Sequence, residues 1–280
     1  MQPFSLNIRG RIHEYHRPAV MGIINITPDS FFAQSRVQSD GEIAGKALKL
    51  LSEGADMLDV GAYSSRHGAG EVPEAEECRR LENALRVIRE AVGDGVPVSV
   101  DTFRASVARK CVEQWGADII NDISGGMLDD KMFETVAELH CPYILMHMRG
   151  TPATMQSMTQ YNDVTADVIA ELSRQLNKLE ELGVADVIID PGFGFAKTLE
   201  QNYELMRNLR SFDILGRPVL VGVSRKSMLT KLLQISVAEA ELPTAVLGAV
   251  AIERGAAILR VHDVVAARQS ITILNAVEPC

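Results

Sequence analysis

The sequence contains little cysteine. Four cysteines occur among its 280 residues, far apart and with no C-x-x-C pair: Cys78, Cys111, Cys141 and Cys280. Structural zinc sites are usually built from closely spaced cysteine and histidine ligands. The spacing therefore argues against such a site, and we expect reduced thiols in a cytoplasmic protein.

Positive charge is also scarce. The chain has 28 lysines and arginines against 37 acidic residues, which gives a formal net charge of -9 at pH 7. Broad nucleic-acid binding usually needs a basic surface, so we expect no nucleic-acid partner. Any anion that the protein binds must be held by a local cluster of cations.

Long apolar runs are missing as well. No uninterrupted run approaches the ~18 residues of a membrane span, so we expect no contact with a membrane. The first twenty residues contain no apolar core of signal-peptide length. The overall composition, 46% hydrophobic and 23% charged, is that of an ordinary globular protein. Its length suits two average domains or one α/β barrel.

The chain does contain a regular alternation of short apolar runs and amphipathic segments. Eight runs predict strands: AVMGIIN (19–25), ADMLDVG (55–61), VPVSVD (96–101), ADIINDIS (117–124), CPYILMHM (141–148), ADVIID (185–190), RPVLVGVSRK (217–226) and AAILRVHD (256–263). A glycine precedes every second run, where it suits the left-handed residue that ends a helix. The other four runs have a proline just before them or as their second residue, where it stops a helix and tolerates the start of a strand.

The segments between the runs predict helices. Ile43, Ala47 and Leu51 repeat every fourth position, with Asp40 as the predicted N-cap. A longer stripe occupies the segment 162–183 and consists of Val164, Val168, Leu172, Leu176 and Leu179. Stripes of this kind are typical of helices that pack against a sheet.

Strand and helix alternating eight times predict a parallel sheet that closes into a single-domain (β/α)8 TIM barrel. We assign the barrel to residues 18–280 and an N-terminal extension to residues 1–17. An open doubly wound sheet is the alternative, although no G-x-G-x-x-G follows the first strand. Long loops are expected at 26–39, 62–72 and 148–161.

Barrel enzymes keep their chemistry at the carboxyl ends of the strands. The ends predicted here carry Asn25, Asp59, Asp101, Asn121, Asp122, His147, Asp190, Ser224, Arg225, Lys226, Arg260 and His262. Some of these have a purely structural interpretation: Asp59 and Asp122 could cap loops, and His147 could be a core histidine.

Three of these polar residues come from three different strands and could converge on the barrel axis: Asp101, Asn121 and Asp190. Two carboxylates and a carboxamide suit a ring with several N–H donors, such as a guanine-like or pterin-like ring. An acid/base dyad of Asp101 and Asp190 is the competing interpretation.

The cations cluster near the last two strands, at Arg225, Lys226, Arg260 and His262, with Arg66 after the second strand. Barrels commonly bind phosphate after strands seven and eight, so this cluster indicates an anionic ligand group. Surface salt bridges, above all for Arg225, are the alternative.

Eight motifs in these positions resemble the dihydropteroate synthase family of folate biosynthesis, from about residue 18 to 272. They are GIINITPDSF (22–31), SSRHGA (64–69), VSVDT (98–102), IINDISGG (119–126), LMHMRGTPATMQ (145–156), DPGFGFAKT (190–198), VGVSRKS (221–227) and LRVHDV (259–264). The resemblance implies a Mg²⁺-assisted condensation of 6-hydroxymethyl-7,8-dihydropterin pyrophosphate with 4-aminobenzoate. It also implies a dissociative mechanism and a homodimer.

The resemblance further implies residue roles. The residues implied for the pterin ring are Asp101, Asn121, Met146, Asp190, Phe195 and Lys226. Those for pyrophosphate are Asn25, Arg66, Arg260 and His262, with Asn25 also near the metal. Those for 4-aminobenzoate are Ser65, Arg66, His67, Lys226 and Ser227. The implied catalytic set is Asp101, Lys226, Arg260, His262 and Asn25.

Two loops depart from the family pattern. Ser65-Arg66-His67-Gly68 stands where many members have Thr-Arg-Pro-Gly, and Phe32-Ala33-Gln34-Ser35 stands where an acidic, glycine-rich stretch is common. Both loops shape the 4-aminobenzoate pocket in the family. We expect unchanged pterin recognition and altered affinity for 4-aminobenzoate and its sulfonamide mimics.

Two other functions fit part of the pattern. A methyltransferase acting on methyltetrahydrofolate and a corrinoid protein would share the pterin-holding Asp and Asn residues, but it handles no pyrophosphate and does not need the cations. A non-catalytic pterin-binding paralogue is the second alternative, because the two loops are altered.

Overall fold

The computed structural model describes residues 3–26, 39–63 and 72–277. The strands are β1 (Phe4–Ile8), β2 (Arg11–Tyr15), β3 (Ala19–Asn25), β4 (Met57–Gly61), β5 (Val98–Asp101), β6 (Ile119–Asp122), β7 (Tyr143–Met146), β8 (Val187–Asp190), β9 (Leu220–Val221) and β10 (Ile258–Val261). The α-helices are α1 (Asp40–Ser52), α2 (Glu74–Val92), α3 (Ala105–Glu113), α4 (Met132–Leu139), α5 (Val164–Glu181), α6 (Leu199–Arg207), α7 (Ser227–Leu233), α8 (Glu241–Glu253) and α9 (Val264–Val277).

Strands β3 to β10 form one parallel sheet in the order β8-β7-β6-β5-β4-β3-β10-β9. A parallel bridge between Ile189 and Val219 joins its two edge strands, β8 and β9. The predicted (β/α)8 barrel is therefore confirmed, and the open doubly wound sheet is wrong. Strand β9 is much shorter than its predicted run and ends at Val221; the chain then turns at Arg225, where φ is +55°.

The residues that precede the strands behave as predicted. Gly54, Gly116, Gly183 and Gly255 all have positive φ, between +82° and +102°, at the turns that follow α1, α3, α5 and α8. The backbone needs this conformation in order to leave a helix and enter the next strand, and glycine adopts it without steric strain.

Helix caps refine the predicted boundaries. The N-cap of α1 is Ser39 rather than Asp40, because Ser39 and Glu42 form a reciprocal capping box. The serine Oγ accepts from the Glu42 N–H at 3.3 Å, and a Glu42 carboxylate oxygen accepts from the Ser39 N–H at 3.0 Å. On α5, Asp163 caps the helix, and every member of the predicted apolar stripe is buried.

Hairpin β1–β2 lies at the amino ends of the barrel strands. Leu6 and Ile8 are buried in the same apolar cluster as Met21 and Met57 of the barrel strands. The ring of Phe4 stacks on Tyr15 with 4.7 Å between the ring centroids. The hairpin therefore closes the floor of the barrel, which the sequence analysis did not foresee for the extension at residues 1–17.

The cysteines and the most apolar helices lie in the described part of the chain, apart from Cys280. Cys78, Cys111 and Cys141 are buried and free, while Cys280 lies outside the described residues. Within the described ranges, no single helix is long and apolar enough to cross a membrane. In those same ranges, only α7 together with residues 238–253 reaches that length and apolarity, as a pair bent by 101°.

Candidate active site

Alternate strand residues point into the barrel and form two layers with different chemistry. The lower layer is apolar and includes Met21, Met57, Ile119, Ile144, Ile188, Leu220 and Ile258. Two residues further along the strands, the inward positions include Ile23 and Met146, and the others are Asp59, Asp101, Asn121, Asp190, Gly222 and Arg260. The change from apolar to polar places a charged, largely buried layer at the carboxyl ends of the strands.

Arg260 connects two carboxylates across this upper layer. Its Nε donates to Oδ2 of Asp59 at 2.6 Å, and its Nη2 donates to Oδ2 of Asp101 at 3.1 Å. Asp59 is completely buried and also accepts from the Asn121 amide, 3.3 Å from each carboxylate oxygen. One arginine thus holds residues from β4, β5 and β10 in a fixed arrangement.

The charges in this cluster depend on one another. Burial raises the pKa of Asp101, with Arg260 opposing and Asp59 reinforcing the increase. Burial acts to lower the pKa of Arg260, but Asp59 and Asp101 outweigh it and hold this pKa above its usual value. The guanidinium is therefore permanently charged, while the Asp101 carboxyl group, whose pKa is raised to about 7, titrates near neutral pH with Arg260 favouring its ionised form.

Asp190 and Lys226 face each other across Gly222. A Cβ built on Gly222 would lie 3.8 Å from the Lys226 Nζ and 4.0 Å from Oδ2 of Asp190. Burial lowers the pKa of Lys226 to about 8 and raises that of Asp190, with each group opposing the shift of the other. Because residue 222 has no side chain, a gap is left between Asp190 and Lys226.

An apolar wall borders this gap. Its buried members are Ile123, Met146, Met148, Met155, Phe195 and Ala196, with Phe103 and Leu128 packed against them. The Lys226 ammonium lies 4.7 Å from the centroid of the Phe195 ring and donates to the Phe193 carbonyl oxygen at 2.7 Å. A flat ring held by polar groups at its edge would find an apolar surface here for its face.

His262 is neutral and contacts Ser224 through its ring and its backbone. Burial is the main cause that lowers its pKa to about 3. The Ser224 hydroxyl accepts from the His262 backbone N–H at 3.1 Å and lies 2.9 Å from Nδ1. When the hydroxyl donates its hydrogen to Nδ1, the His262 proton is on Nε2 and serves as a donor.

Asn25 ends β3 next to Gly61, on the Asp101 side of the site. A Cβ built on Gly61 would lie 3.6 Å from both the Asn25 Oδ1 and the Asp101 Cβ. Among the described residues, no group of three or more His, Cys, Asp or Glu side chains could bind a metal ion. Mg²⁺ is often held by few protein oxygens together with substrate phosphates, and one amide oxygen fits that pattern.

Comparison with known proteins identifies the family. The profile described as Pterin binding enzyme matches residues 21–262. A dihydropteroate synthase from Synechocystis sp. is 40% identical over 263 residues, which cover 93% of this chain and 90% of that protein. The chain belongs to the dihydropteroate synthase family. It is accordingly a transferase that joins 6-hydroxymethyl-7,8-dihydropterin pyrophosphate to 4-aminobenzoate, giving 7,8-dihydropteroate and pyrophosphate.

Solved dihydropteroate synthases share the whole architecture. The Yersinia pestis enzyme in a sulfonamide drug complex superimposes with a TM-score of 0.92, at 34% identity and with 98% of both chains covered. The Xanthomonas albilineans enzyme in complex with 7,8-dihydropteroate gives a TM-score of 0.86, at 35% identity and with 99% of both chains covered. The match includes the N-terminal hairpin as well as the barrel.

The structure gathers most of the predicted synthase site residues at one mouth of the barrel. Asn25, Asp101, Asn121, Met146, Asp190, Phe195, Lys226, Arg260 and His262 all lie there. Ser227 is exposed at the start of α7. Ser65, Arg66 and His67 lie outside the described residues, as do the altered positions 32–35.

Two residues at strand ends serve the scaffold. Arg225 makes a two-point ion pair with Asp263, at 2.8 Å and 2.6 Å, so it forms a salt bridge as the alternative supposed, but a buried one rather than one at the surface. Asp122 accepts from the Ser124 and Gly126 N–H groups and from two hydroxyls, and it therefore caps the loop after β6. Asp59, by contrast, is buried in the upper layer and accepts from Arg260 and Asn121.

One buried lysine was not among the predicted site residues. Lys197 lies in the DPGFGFAKT motif without a predicted role. In the structure it is 4% exposed and contacts His147. A lysine three residues past a glycine-rich turn carries no distinctive sequence signal, because lysines are usually solvated. Only the tertiary structure shows that its side chain folds back into the protein.

Proposed function

We propose that the synthase holds the edge of the pterin ring with Asp101, Asn121, Asp190 and Lys226. A carboxylate can accept two parallel hydrogen bonds from the amidine-like edge of a pterin. Met146 and Phe195 of the apolar wall would cover one face of the ring. The observation that carries this proposal is the gap at Gly222, which has Asp190 on one side and Lys226 on the other.

The pyrophosphate would lie towards β3 and β10, held by Asn25, Arg66, Arg260 and His262. The Nε2 hydrogen of His262 is a neutral donor for a phosphate oxygen, and Arg260 supplies permanent charge nearby. Two kinds of donor, one charged and one neutral, bind an anion without the repulsion that a second buried cation would add.

We propose a dissociative displacement. The bond between the pterin methylene carbon and the pyrophosphate oxygen breaks, and both electrons leave with the oxygen. The dihydropterin ring delocalises the resulting cation, which Asp101 in its ionised form would stabilise. The 4-aminobenzoate nitrogen then donates its electron pair to the methylene carbon and loses a proton.

Mg²⁺ would be held by the Asn25 side-chain oxygen together with oxygens of the substrate. Bound there, it would neutralise charge on the departing pyrophosphate. 4-Aminobenzoate would contact Ser65, Arg66, His67, Lys226 and Ser227. Lys226 is common to both substrate sites, which suits its position beside the gap.

A pyrophosphate-release assay tests the proposed reaction. We expect release to require 4-aminobenzoate for sustained turnover and to fall at least tenfold when EDTA removes Mg²⁺, with recovery on adding Mg²⁺ back. Continued turnover in excess EDTA would contradict the metal proposal. Absence of 4-aminobenzoate-dependent release with Mg²⁺ present would contradict the reaction.

Adding one methyl group at Gly222 should weaken pterin binding. The residue has no positive φ, and a Cβ would make only ordinary contacts, so Gly222→Ala is expected to fold normally. The methyl group would occupy the gap, and we expect a Kd for 6-hydroxymethylpterin about tenfold higher, or about 1.4 kcal/mol. Gly45→Ala, on α1 with nothing within 4 Å, is the matched control in calorimetry. Equal affinities for the two variants would place the pterin elsewhere.

We also propose that the synthase is a homodimer. Helices α7, α8 and α9 expose a group of large apolar side chains, and α8 packs beside α9. Its members are Leu232, Leu233, Leu242, Val246, Ile273 and Val277, exposed by between 48% and 73%. Exposed large apolar side chains grouped on neighbouring helices are typical of a protein interface.

Sedimentation tests the dimer. Wild type should sediment at twice the chain mass, and Leu242→Glu with Val246→Glu should raise the dissociation constant at least a hundredfold, since an interface would bury both charges. Ile12→Glu, at an exposed apolar residue of the hairpin, is the control and should stay dimeric. A monomeric wild type would refute the proposal.

We further propose that the enzyme acts in the cytoplasm. The free state and burial of Cys78, Cys111 and Cys141 suit a reducing compartment.

A further inference from the structure

Lys197 is a buried lysine that the proposed chemistry does not use. Its Nζ lies 2.9 Å from the Gly192 carbonyl oxygen, 3.0 Å from the Phe195 carbonyl oxygen and 3.1 Å from Nδ1 of His147. Burial lowers the pKa of Lys197 to about 7, and in its ammonium form the three N–H donors match these three acceptors. The side chain is placed to hold backbone rather than to bind a ligand.

The backbone that it holds belongs to the loop of residues 191–198, between β8 and α6. This loop carries the Phe195 ring of the apolar wall and the Phe193 carbonyl oxygen that accepts from Lys226. The loop is tightly folded: a Cβ on Gly192 would lie 1.9 Å from the His147 carbonyl oxygen. Lys197 binds the carbonyl groups at both ends of the segment 192–195 and so fixes what lies between them.

His147 is oriented from its other side. Its Nε2 lies 3.0 Å from a Glu171 carboxylate oxygen, which accepts a hydrogen bond from the Nε2–H group. Burial and then the Lys197 charge lower the pKa of His147 to about 4, so the ring is neutral at pH 7 and Nδ1 is free to accept from Lys197. Glu171 is itself ion-paired with Arg149. A network of polar contacts therefore links Arg149, Glu171 of α5, His147 and Lys197 of the loop 191–198.

We propose that Lys197 is a positioning residue for the pterin site, and that Glu171 and His147 are a relay that orients its ammonium group. The ammonium keeps Phe195 and the Phe193 carbonyl in place, and these in turn position the wall of the slot and Lys226. The inference rests on the pterin slot proposed above. Lys197 itself touches no substrate.

Lys197→Met tests the position of the lysine, because methionine keeps a similar length and removes all three donors. We expect a Kd for 6-hydroxymethylpterin at least tenfold higher in calorimetry. The KM for 4-aminobenzoate, measured at saturating dihydropterin pyrophosphate, should stay within twofold of wild type. A general loss of structure would instead affect both substrates.

Glu171→Gln tests the relay with a milder change. Glutamine still offers an oxygen to the His147 ring but loses the charge that selects its tautomer, so we expect a threefold to tenfold rise in the pterin Kd. In the Lys197→Met background the same change should add nothing. Glu180→Gln is the matched control, since Glu180 lies on the same helix and pairs with Arg217 at 2.7 Å on the surface; it should not change the Kd.

The outcomes separate this inference from the slot itself. A pterin Kd within twofold of wild type in Glu171→Gln and in folded Lys197→Met would overturn the positioning role. Equal losses for both substrates would overturn it too. If Lys197→Met does not fold, Glu171→Gln against Glu180→Gln decides. Retained pterin affinity in Asp190→Ala would instead show that the slot is wrong.

Discussion

Replacing Asp190 by alanine should abolish measurable pterin binding. The carboxylate is 5% exposed, and one of its oxygens already accepts from the Gly192 N–H at 2.8 Å. Hydrogen bonds to a charged group contribute about 1.5–3 kcal/mol each, so losing two raises the Kd at least a hundredfold. The variant should remain folded, because the nearby Lys226 keeps its bond to the Phe193 carbonyl.

The measurement is calorimetry with 6-hydroxymethylpterin. Asp186→Ala is the control, since Asp186 precedes the same strand at the opposite end of the barrel. Asp190→Asn should give an intermediate Kd, as the amide retains one acceptor oxygen. An unchanged pterin affinity in Asp190→Ala would disprove the assignment of the slot.

Replacing Arg260 by glutamine should reduce both turnover and stability. The variant leaves Asp59 and Asp101 without the cation that they share, and breaking a buried ion pair costs about 3–5 kcal/mol. The loss of charge beside the pyrophosphate should lower kcat by about 10²–10³, the usual range for one preorganised electrostatic group.

A second variant separates the two effects. Asp59→Asn combined with Arg260→Gln removes one surplus carboxylate, so the free energy of unfolding should recover in part while kcat stays low. Urea unfolding and pyrophosphate release measure the two quantities. If kcat recovered together with stability, Arg260 would have a structural role only.

Much of the fold could be predicted because its signals are local. Val168, Leu172 and Leu176 repeat at the helical period and are buried on α5, as expected. The glycines before β4, β6, β8 and β10 also follow from local backbone geometry. The hairpin at the floor could not be recognised, since Leu6 and Ile8 are buried by packing against strands that are distant in the sequence.

The sequence by itself determined the alternation of strands and helices, and with it the barrel and the strand ends that carry polar groups. Periodicity and turn residues act over a few positions, so the linear order contains them. Only the tertiary structure decided how those polar groups pair. Arg260 and Asp59 are 201 positions apart, and Lys197 and His147 are 50 apart. Barrel closure and loop packing select such partners, because the strength of each contact depends on burial and distance rather than on separation along the chain.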